Sequence, residues 1–121
     1  MNIVLMEPLN VSAQTLERFV APLKQAGHSF TAYDTVAVDP EEMISRAKDA
    51  DVLMIANHPL PDAVIEACPK LKYISVAFVG IDHVGQTACK ARDIHISNAA
   101  GYCRDAVAEL ALGLALDCLR N

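Results

Sequence analysis

The chain has 121 residues, enough for one compact domain, and 53% of them are apolar, which supplies a core. Its 15 acidic and 10 basic residues give a net charge of −5, which argues against nucleic acid or an anionic membrane as a partner. The N-terminus lacks the basic segment and long apolar run of a signal peptide. The four cysteines have no metal-ligand spacing, so we expect free thiols, a cytoplasmic protein and no metal site.

Five short apolar runs alternate with helical segments along the chain. The strands are predicted at 2–6, 28–33, 51–56, 73–77 and 94–97, and the helices at 13–26, 40–50, 62–67, 82–92 and 103–119. The strands are continuous apolar runs rather than alternating patterns, which is typical of parallel strands covered on both faces. The sequence therefore predicts an α/β fold with a parallel five-stranded sheet and helices on both faces.

Several residues are suited to the ends of these helices. Ser12 is predicted to cap the first helix, and Gly27 to follow its last turn. Asp39 is predicted to cap the second helix, with Glu42 completing a capping box. Asp82 or a neighbour is expected to cap the helix that follows the fourth strand.

The last helix carries only two charges between Ala106 and Leu119, namely Glu109 and Asp117. A helix that is apolar nearly all round must be buried on most sides. It is too short and too interrupted to span a bilayer. We therefore expect either a second subunit or sequence beyond Asn121 to cover it.

The loop Phe78–Asp82 is the strongest candidate site, because it follows the fourth strand at the edge of the sheet where ligands bind in parallel α/β folds. Free backbone amides and Gly80 suit a small carboxylate or phosphate, although a plain tight turn explains the same residues. Asn57 and His58 follow the third strand at the same edge and either contact that ligand or form an exposed loop. Tyr102 precedes the last helix, and its hydroxyl is a further candidate contact.

No dinucleotide fingerprint, phosphate-binding lysine loop, nucleophile elbow or metal constellation occurs in the chain. Leu71–Glu109, however, resembles the segment that identifies the D-isomer-specific 2-hydroxyacid dehydrogenases. The matching positions, in order, are Leu71, Lys72, Ile74, Val79, Gly80, Asp82, Ile94, Ile96, Asn98, Gly101, Val107, Ala108 and Glu109. The three earlier strands are similar in layout to the N-terminal half of that family.

The resemblance implies a flavodoxin-like substrate-binding domain over residues 1–98. It also implies that residues 99–121 are a crossover and the first helix of an absent Rossmann domain. The backbone at Val79 and Gly80 would then hold the carboxylate of a 2-hydroxy or 2-oxo acid, and Phe78 would narrow the pocket. Asn57 and His58 would border the substrate.

The same resemblance places Tyr102 and Val107 near the substrate and the nicotinamide. The NAD or NADP cofactor would be bound mainly by sequence not present here, as would the family's catalytic arginine, glutamate and histidine. The fragment alone is therefore expected to be inactive, to have no catalytic residue of its own and to form a homodimer through the last helix. Gly85, Asp93 and Ala100 depart from the family pattern and leave the substrate open.

A stand-alone flavodoxin-like binding or dimerisation module without catalysis is the alternative. A receiver-type signalling domain needs an acidic cluster after the first strand and an aspartate at the end of the third. Here only Glu7 follows the first strand, and the third strand ends in Ala56, Asn57 and His58. The residues therefore favour the dehydrogenase interpretation.

Overall fold

The computed structural model describes residues 1–120, in which strands and helices alternate along the chain. In chain order the elements are β1 (Asn2–Leu5), α1 (Ala13–Gln25), β2 (Ser29–Ala32), α2 (Pro40–Ala47), β3 (Val52–Ile55), α3 (Asp62–Glu66), β4 (Tyr73–Val76), α4 (Gln86–Ala91), β5 (His95–Asn98) and α5 (Arg104–Arg120). The predicted number and order of elements are confirmed.

The five strands form one parallel sheet in the order β2-β1-β3-β4-β5. This is the flavodoxin-like order, and its connections change direction between β1 and β3. The register aligns Leu5 with Met54, and Ile55 with Val76, so the carboxyl ends of the three central strands lie side by side. The loops that follow β1, β3 and β4 therefore meet at one edge.

One face of the sheet carries the main core, which α2, α3 and α4 cover. Alternate strand residues such as Val4, Leu53 and Ile74 point into it, as the two-residue period of a strand requires. Cys68 and Cys89 are also buried there, and burial raises the pKa of both thiols. Neutral thiols of this kind behave as small apolar side chains.

The other face is covered less completely. Helix α1 returns from β1 to β2 on this side, where Val20 is buried and Phe19 remains 66% exposed. Further along the sheet, Met54 and Ser75 are only half-buried, and Tyr73 is exposed and donates a hydrogen bond of 2.6 Å to Ser97 Oγ. Helices thus lie on both faces, as predicted.

The helix ends confirm some capping predictions and contradict others. Ser12 Oγ accepts a hydrogen bond from the Thr15 amide, and Gly27 follows α1 with φ +81°. Asp39 is exposed and makes no side-chain cap bond with the described residues, and Glu42 pairs with Arg46 instead of closing a capping box.

The prediction that Asp82 or a neighbour caps the fourth helix with its side chain was wrong. Helix α4 begins only at Gln86, and the Asp62 carboxylate accepts the Ala88 amide at 2.8 Å. The cap therefore comes from α3, which packs beside α4, and not from the preceding loop. Helix α4 thus begins after the Phe78–Asp82 loop and not directly at it.

Helix α5 has no buried residue among those described. Six large apolar side chains on it are between 54% and 81% exposed: Val107, Leu110, Leu112, Leu114, Leu116 and Leu119. The predicted covering surface is thus not supplied by residues 1–120. Within those residues no helix combines the length and the apolar character needed to cross a bilayer.

Candidate functional site

A cleft of about 420 Å³ opens where the loops after β1, β3 and β4 meet. Its lining residues are Glu7, Pro8, Leu9, Asn10, Val36, Ala56, Asn57, His58, Ala77 and Phe78. The position at the carboxyl edge beside the β1–β3 reversal is where open parallel sheets bind ligands. The cleft combines apolar walls with a few polar groups, as small-molecule sites do.

The first residues of the loop after β4 are anchored by three hydrogen bonds. The Ala77 amide donates to Ile55 O at 2.8 Å, and the Ala99 amide donates to Phe78 O at 3.0 Å. Asn98 Nδ2 donates to Val79 O, which fixes the peptide plane between Val79 and Gly80. Residues 77–79 are therefore held by strand β3 and by the end of strand β5.

The amides of Val79 and Gly80 donate to no acceptor within residues 1–120. Both residues are exposed, so these N–H groups are open to solvent or to a ligand. Unpaired backbone donors in a fixed loop beside a cleft suit a small anion such as a carboxylate.

Gly80 has no steric or conformational reason of its own to be glycine. Its φ lies outside the left-handed region, and an added Cβ would meet only Asp82 Oδ2 at 3.8 Å, an ordinary contact. The plain-turn explanation of this glycine therefore loses its support. The space in front of Gly80 is free for a group that approaches the backbone closely.

Glu7 is a site residue that the sequence reasoning did not select. Its side chain is 6% exposed, and its Oε1 accepts the Ala56 amide at 2.7 Å and the His58 amide at 3.2 Å. The carboxylate thus shapes the loop after β3 from the end of β1. The signal in the sequence was a single acid directly after a buried strand, at the edge where ligands bind.

The predicted residues Asn57, His58 and Phe78 come together in the cleft wall. The His58 side chain is about half exposed, and its Nε2 lies 3.8 Å from Glu7 Oε2. Phe78 is 41% exposed and is the last cleft residue before Val79 and Gly80 in the sequence. These three side chains border a ligand bound in the cleft.

Tyr102 and Val107 lie outside this cleft. Tyr102 occupies the turn before α5 and is 65% exposed, and Val107 lies in the first turn of α5 and is 58% exposed. Neither lines the cleft in the part of the chain that the structure describes. Their predicted contacts with substrate and nicotinamide stay predictions.

The groups with shifted pKa values lie away from the cleft. The Asn2 amide lowers the pKa of the Asp51 carboxyl through a 2.7 Å hydrogen bond, but this pair sits at the amino edge of the sheet. The raised pKa values of Cys68 and Cys89 belong to the core. Among residues 1–120 no group of three or more His, Cys, Asp or Glu side chains is arranged to hold a metal ion.

The family model and the similar proteins of known sequence point to the same family. Residues 3–113 match the sequence model described as "D-isomer specific 2-hydroxyacid dehydrogenase, catalytic domain". A hydroxypyruvate reductase from Blautia hydrogenotrophica is 34% identical over 86 residues, which cover 70% of this chain and 27% of that protein. The chain thus spans less than a third of the length of this relative.

Solved structures show the same fold. A 3-phosphoglycerate dehydrogenase from Entamoeba histolytica, solved with NAD+ bound, superposes with a TM-score of 0.77 at 30% identity, covering 93% of this chain and 37% of that one. An NAD-dependent formate dehydrogenase from Staphylococcus aureus, in complex with NAD, gives a TM-score of 0.79 at 29% identity, covering 100% of this chain and 39% of that one.

Proposed function

Because the chain belongs to the D-isomer-specific 2-hydroxyacid dehydrogenase family, we propose that it forms the substrate-binding N-terminal part of an NAD(P)-dependent oxidoreductase. That enzyme interconverts a 2-hydroxy acid and a 2-oxo acid. Residues 1–98 are the substrate-binding domain, and residues 99–121 are the crossover and first helix of a dinucleotide-binding domain. The free thiols fit a cytoplasmic enzyme.

In this proposal the cofactor is NAD or NADP, which supplies or accepts the hydride when bound. The five glycines of the chain are not spaced for dinucleotide binding, so the cofactor is held mainly by sequence outside it. Val107 and Tyr102 are accessible on the crossover side and would face the nicotinamide and the substrate. The residues present here bind and orient the substrate.

The proposal depends mainly on the backbone N–H groups at Val79 and Gly80, which donate no hydrogen bond within residues 1–120. The fold does not need a glycine at position 80. Ala99 and Asn98 hold the peptide groups that carry these two N–H groups, which lie beside an apolar cleft and can bind both oxygens of a substrate carboxylate. The remainder of the substrate then lies along Phe78 toward Asn57 and His58.

Gly80→Ala tests the carboxylate site without disturbing the fold. The added methyl fits the protein, so the free energy of unfolding should stay the same or rise by about 0.4–1 kcal/mol. The same methyl occupies the space of the ligand, so binding of pyruvate should weaken by about tenfold or more. NMR titration, followed at the amide of Val79 and at the amide of the substituted position, measures the affinity.

Gly113→Ala is the matched control, because Gly113 lies in α5 with no atom within 4 Å of an added Cβ. It should leave pyruvate binding unchanged. Unaltered binding in Gly80→Ala would contradict the assignment of the carboxylate to this backbone.

A second experiment tests whether catalysis requires sequence outside this chain. The 121-residue chain should not oxidise NADH or NADPH in the presence of any 2-oxo acid, because it holds neither the catalytic groups nor the dinucleotide. The measurement is the absorbance of the reduced cofactor over time. Turnover by the purified chain would refute the proposal that catalysis requires sequence outside it.

We also assign a homodimer contact to α5, whose apolar surface is exposed in the single chain.

A further inference from the structure

Asn98, the last residue of β5, holds the loop after β4 through its side chain. Its Nδ2 donates to Val79 O, and no other donor among residues 1–120 bonds to that oxygen. The next amide along the chain, that of Ala99, donates to Phe78 O at 3.0 Å. Two successive carbonyl groups of the loop therefore point to the same side, toward β5.

This arrangement interrupts the alternation of a strand. In an extended parallel strand, successive peptide groups point alternately to the two neighbouring strands. The start of the loop follows this rule, because the Ala77 amide donates to Ile55 O of β3 and the Phe78 carbonyl points toward β5. The Val79 carbonyl should then point back toward β3, but Asn98 binds it on the side of β5.

The direction of each carbonyl also sets the direction of the N–H group in the same peptide. The peptide bonds of residues 1–120 are all trans, and in a planar trans peptide the C=O and N–H bonds point in opposite directions. The amides of Val79 and Gly80 therefore both point away from β5, to the side of β4 on which β3 and the cleft lie. Successive N–H groups that point to one side form a concave site for an anion.

We propose that Asn98 is a positioning residue for the substrate carboxylate, because its hold on Val79 O turns the Gly80 amide to the same side as the Val79 amide. This inference rests on the proposed function, since it concerns the same carboxylate site. Asn98 acts through the peptide between Val79 and Gly80 and not on the reacting atoms, so it is not a catalytic residue.

The two amides depend on different groups. The Val79 amide belongs to the peptide that the Ala99 backbone holds, and no change of the side chain at position 98 removes that bond. The Gly80 amide belongs to the peptide that the Asn98 side chain holds. An aspartate in place of Asn98 has the same shape but only acceptors, so it cannot hold a carbonyl oxygen.

Residual dipolar couplings of the 15N-labelled chain measure the direction of each N–H bond without any ligand. In Asn98→Asp and in Asn98→Ala the coupling of the Gly80 amide should change, whereas that of the Val79 amide should match the wild type. An unchanged Gly80 coupling in both variants would overturn the inference. Equal changes at both amides would also overturn it, because they would mean that the side chain holds the loop as a whole.

Titration with pyruvate, followed at the same two amides, measures the consequence for binding. Loss of one of the two hydrogen bonds to the carboxylate should weaken binding about tenfold in Asn98→Ala. Asn98→Asp should weaken it at least as much, since its charge has the same sign as that of the ligand.

Asn2→Ala is the matched control, because Asn2 Nδ2 also donates to a backbone carbonyl, that of Asp49 at 3.1 Å, but at the amino edge of the sheet. Its affinity for pyruvate should match the wild type, and an equal loss there would attribute the effect of Asn98 to general destabilisation and refute its positioning role.

The wild-type titration separates the two ways in which the experiment can fail. If pyruvate shifts neither the Val79 nor the Gly80 amide of the wild type, the carboxylate site and the proposed function fail together with this inference. If pyruvate binds the wild type and both Asn98 variants with equal affinity, only the role of Asn98 is refuted.

Discussion

Gly85 lies against the backbone of Asp62, where there is no room for a side chain. An added Cβ would lie 2.5 Å from Asp62 N and 2.8 Å from its Cα, and neither atom can move without shifting α3. Gly85→Ala should therefore lower the free energy of unfolding by about 1–3 kcal/mol, since it also strains the bond from Ala88 N to Asp62. Urea denaturation followed by circular dichroism measures the change.

Gly113→Ala serves as the steric control, since a Cβ there meets nothing, and it should not destabilise the protein. Equal denaturation midpoints for Gly85→Ala and the wild type would show that the two helices separate more easily than the packing implies.

The sequence predicted only those site residues that directly follow a recognisable strand. Asn57, His58 and Phe78 follow apolar runs at the carboxyl edge, and the structure brings them into one cleft. Glu7 was not selected, because a single acid after a strand has many uses. The role of Glu7 depends on β1 lying beside β3 in the sheet. This pairing brings the Ala56 amide, 49 residues further along the chain, within 2.7 Å of Glu7 Oε1.

At the scale of elements, Arg46 joins α2 to the ends of two strands. Its guanidinium donates to Met6 O at 3.3 Å, to Thr35 O at 2.6 Å and to Thr35 Oγ1 at 2.9 Å, and it stacks on the Tyr33 ring. A lysine cannot reproduce this fork, so Arg46→Lys should cost about 1.5–3 kcal/mol of unfolding free energy. Thermal and urea unfolding measure the loss.

Arg104→Lys is the matched control, because the Arg104 side chain is 81% exposed and, among residues 1–120, pairs only with its neighbour Asp105. Its effect should stay within about 0.5 kcal/mol. An Arg46→Lys variant as stable as this control would mean that the hydrogen bonds of the guanidinium are replaced by water at no cost.

Strands and helices differ in how well the sequence predicted them. All five strands were found in place. The central strands β1, β3 and β4 are mainly apolar and contain buried residues, whereas the edge strands β2 and β5 are more polar and contain none. The start of α4 was misplaced because capping residues are local signals, and the cap that operates comes from Asp62, far along the chain. Asp39 shows the converse, a suitable residue in the right place that makes no cap bond.

At the scale of the whole molecule, α5 is the feature that the single chain does not explain. Its composition predicted burial, and the described residues leave its apolar side chains exposed. The sequence could predict that a covering surface is needed, but not which one, because burial by a second copy and burial by another domain require the same apolar residues. The distinction is one of assembly and can be measured.

If α5 is the homodimer contact, the 121-residue chain at micromolar concentration should sediment as twice its 13.0 kDa mass. Replacing both Leu110 and Leu114, which lie four residues apart on one face, with aspartate should give a monomer. Burial of each leucine contributes about 1.5–3 kcal/mol, so losing two weakens association far more than tenfold. Val38→Asp is the control, because Val38 is an apolar residue outside α5 that is 78% exposed, and it should leave the dimer intact.

Cys118 on α5 gives an independent measurement, because its exposed thiol should be protected from a thiol reagent in the dimer and react in the Leu110/Leu114 variant. A wild-type monomer with a reactive Cys118 would refute the dimer and leave the dinucleotide-binding domain as the surface that covers α5.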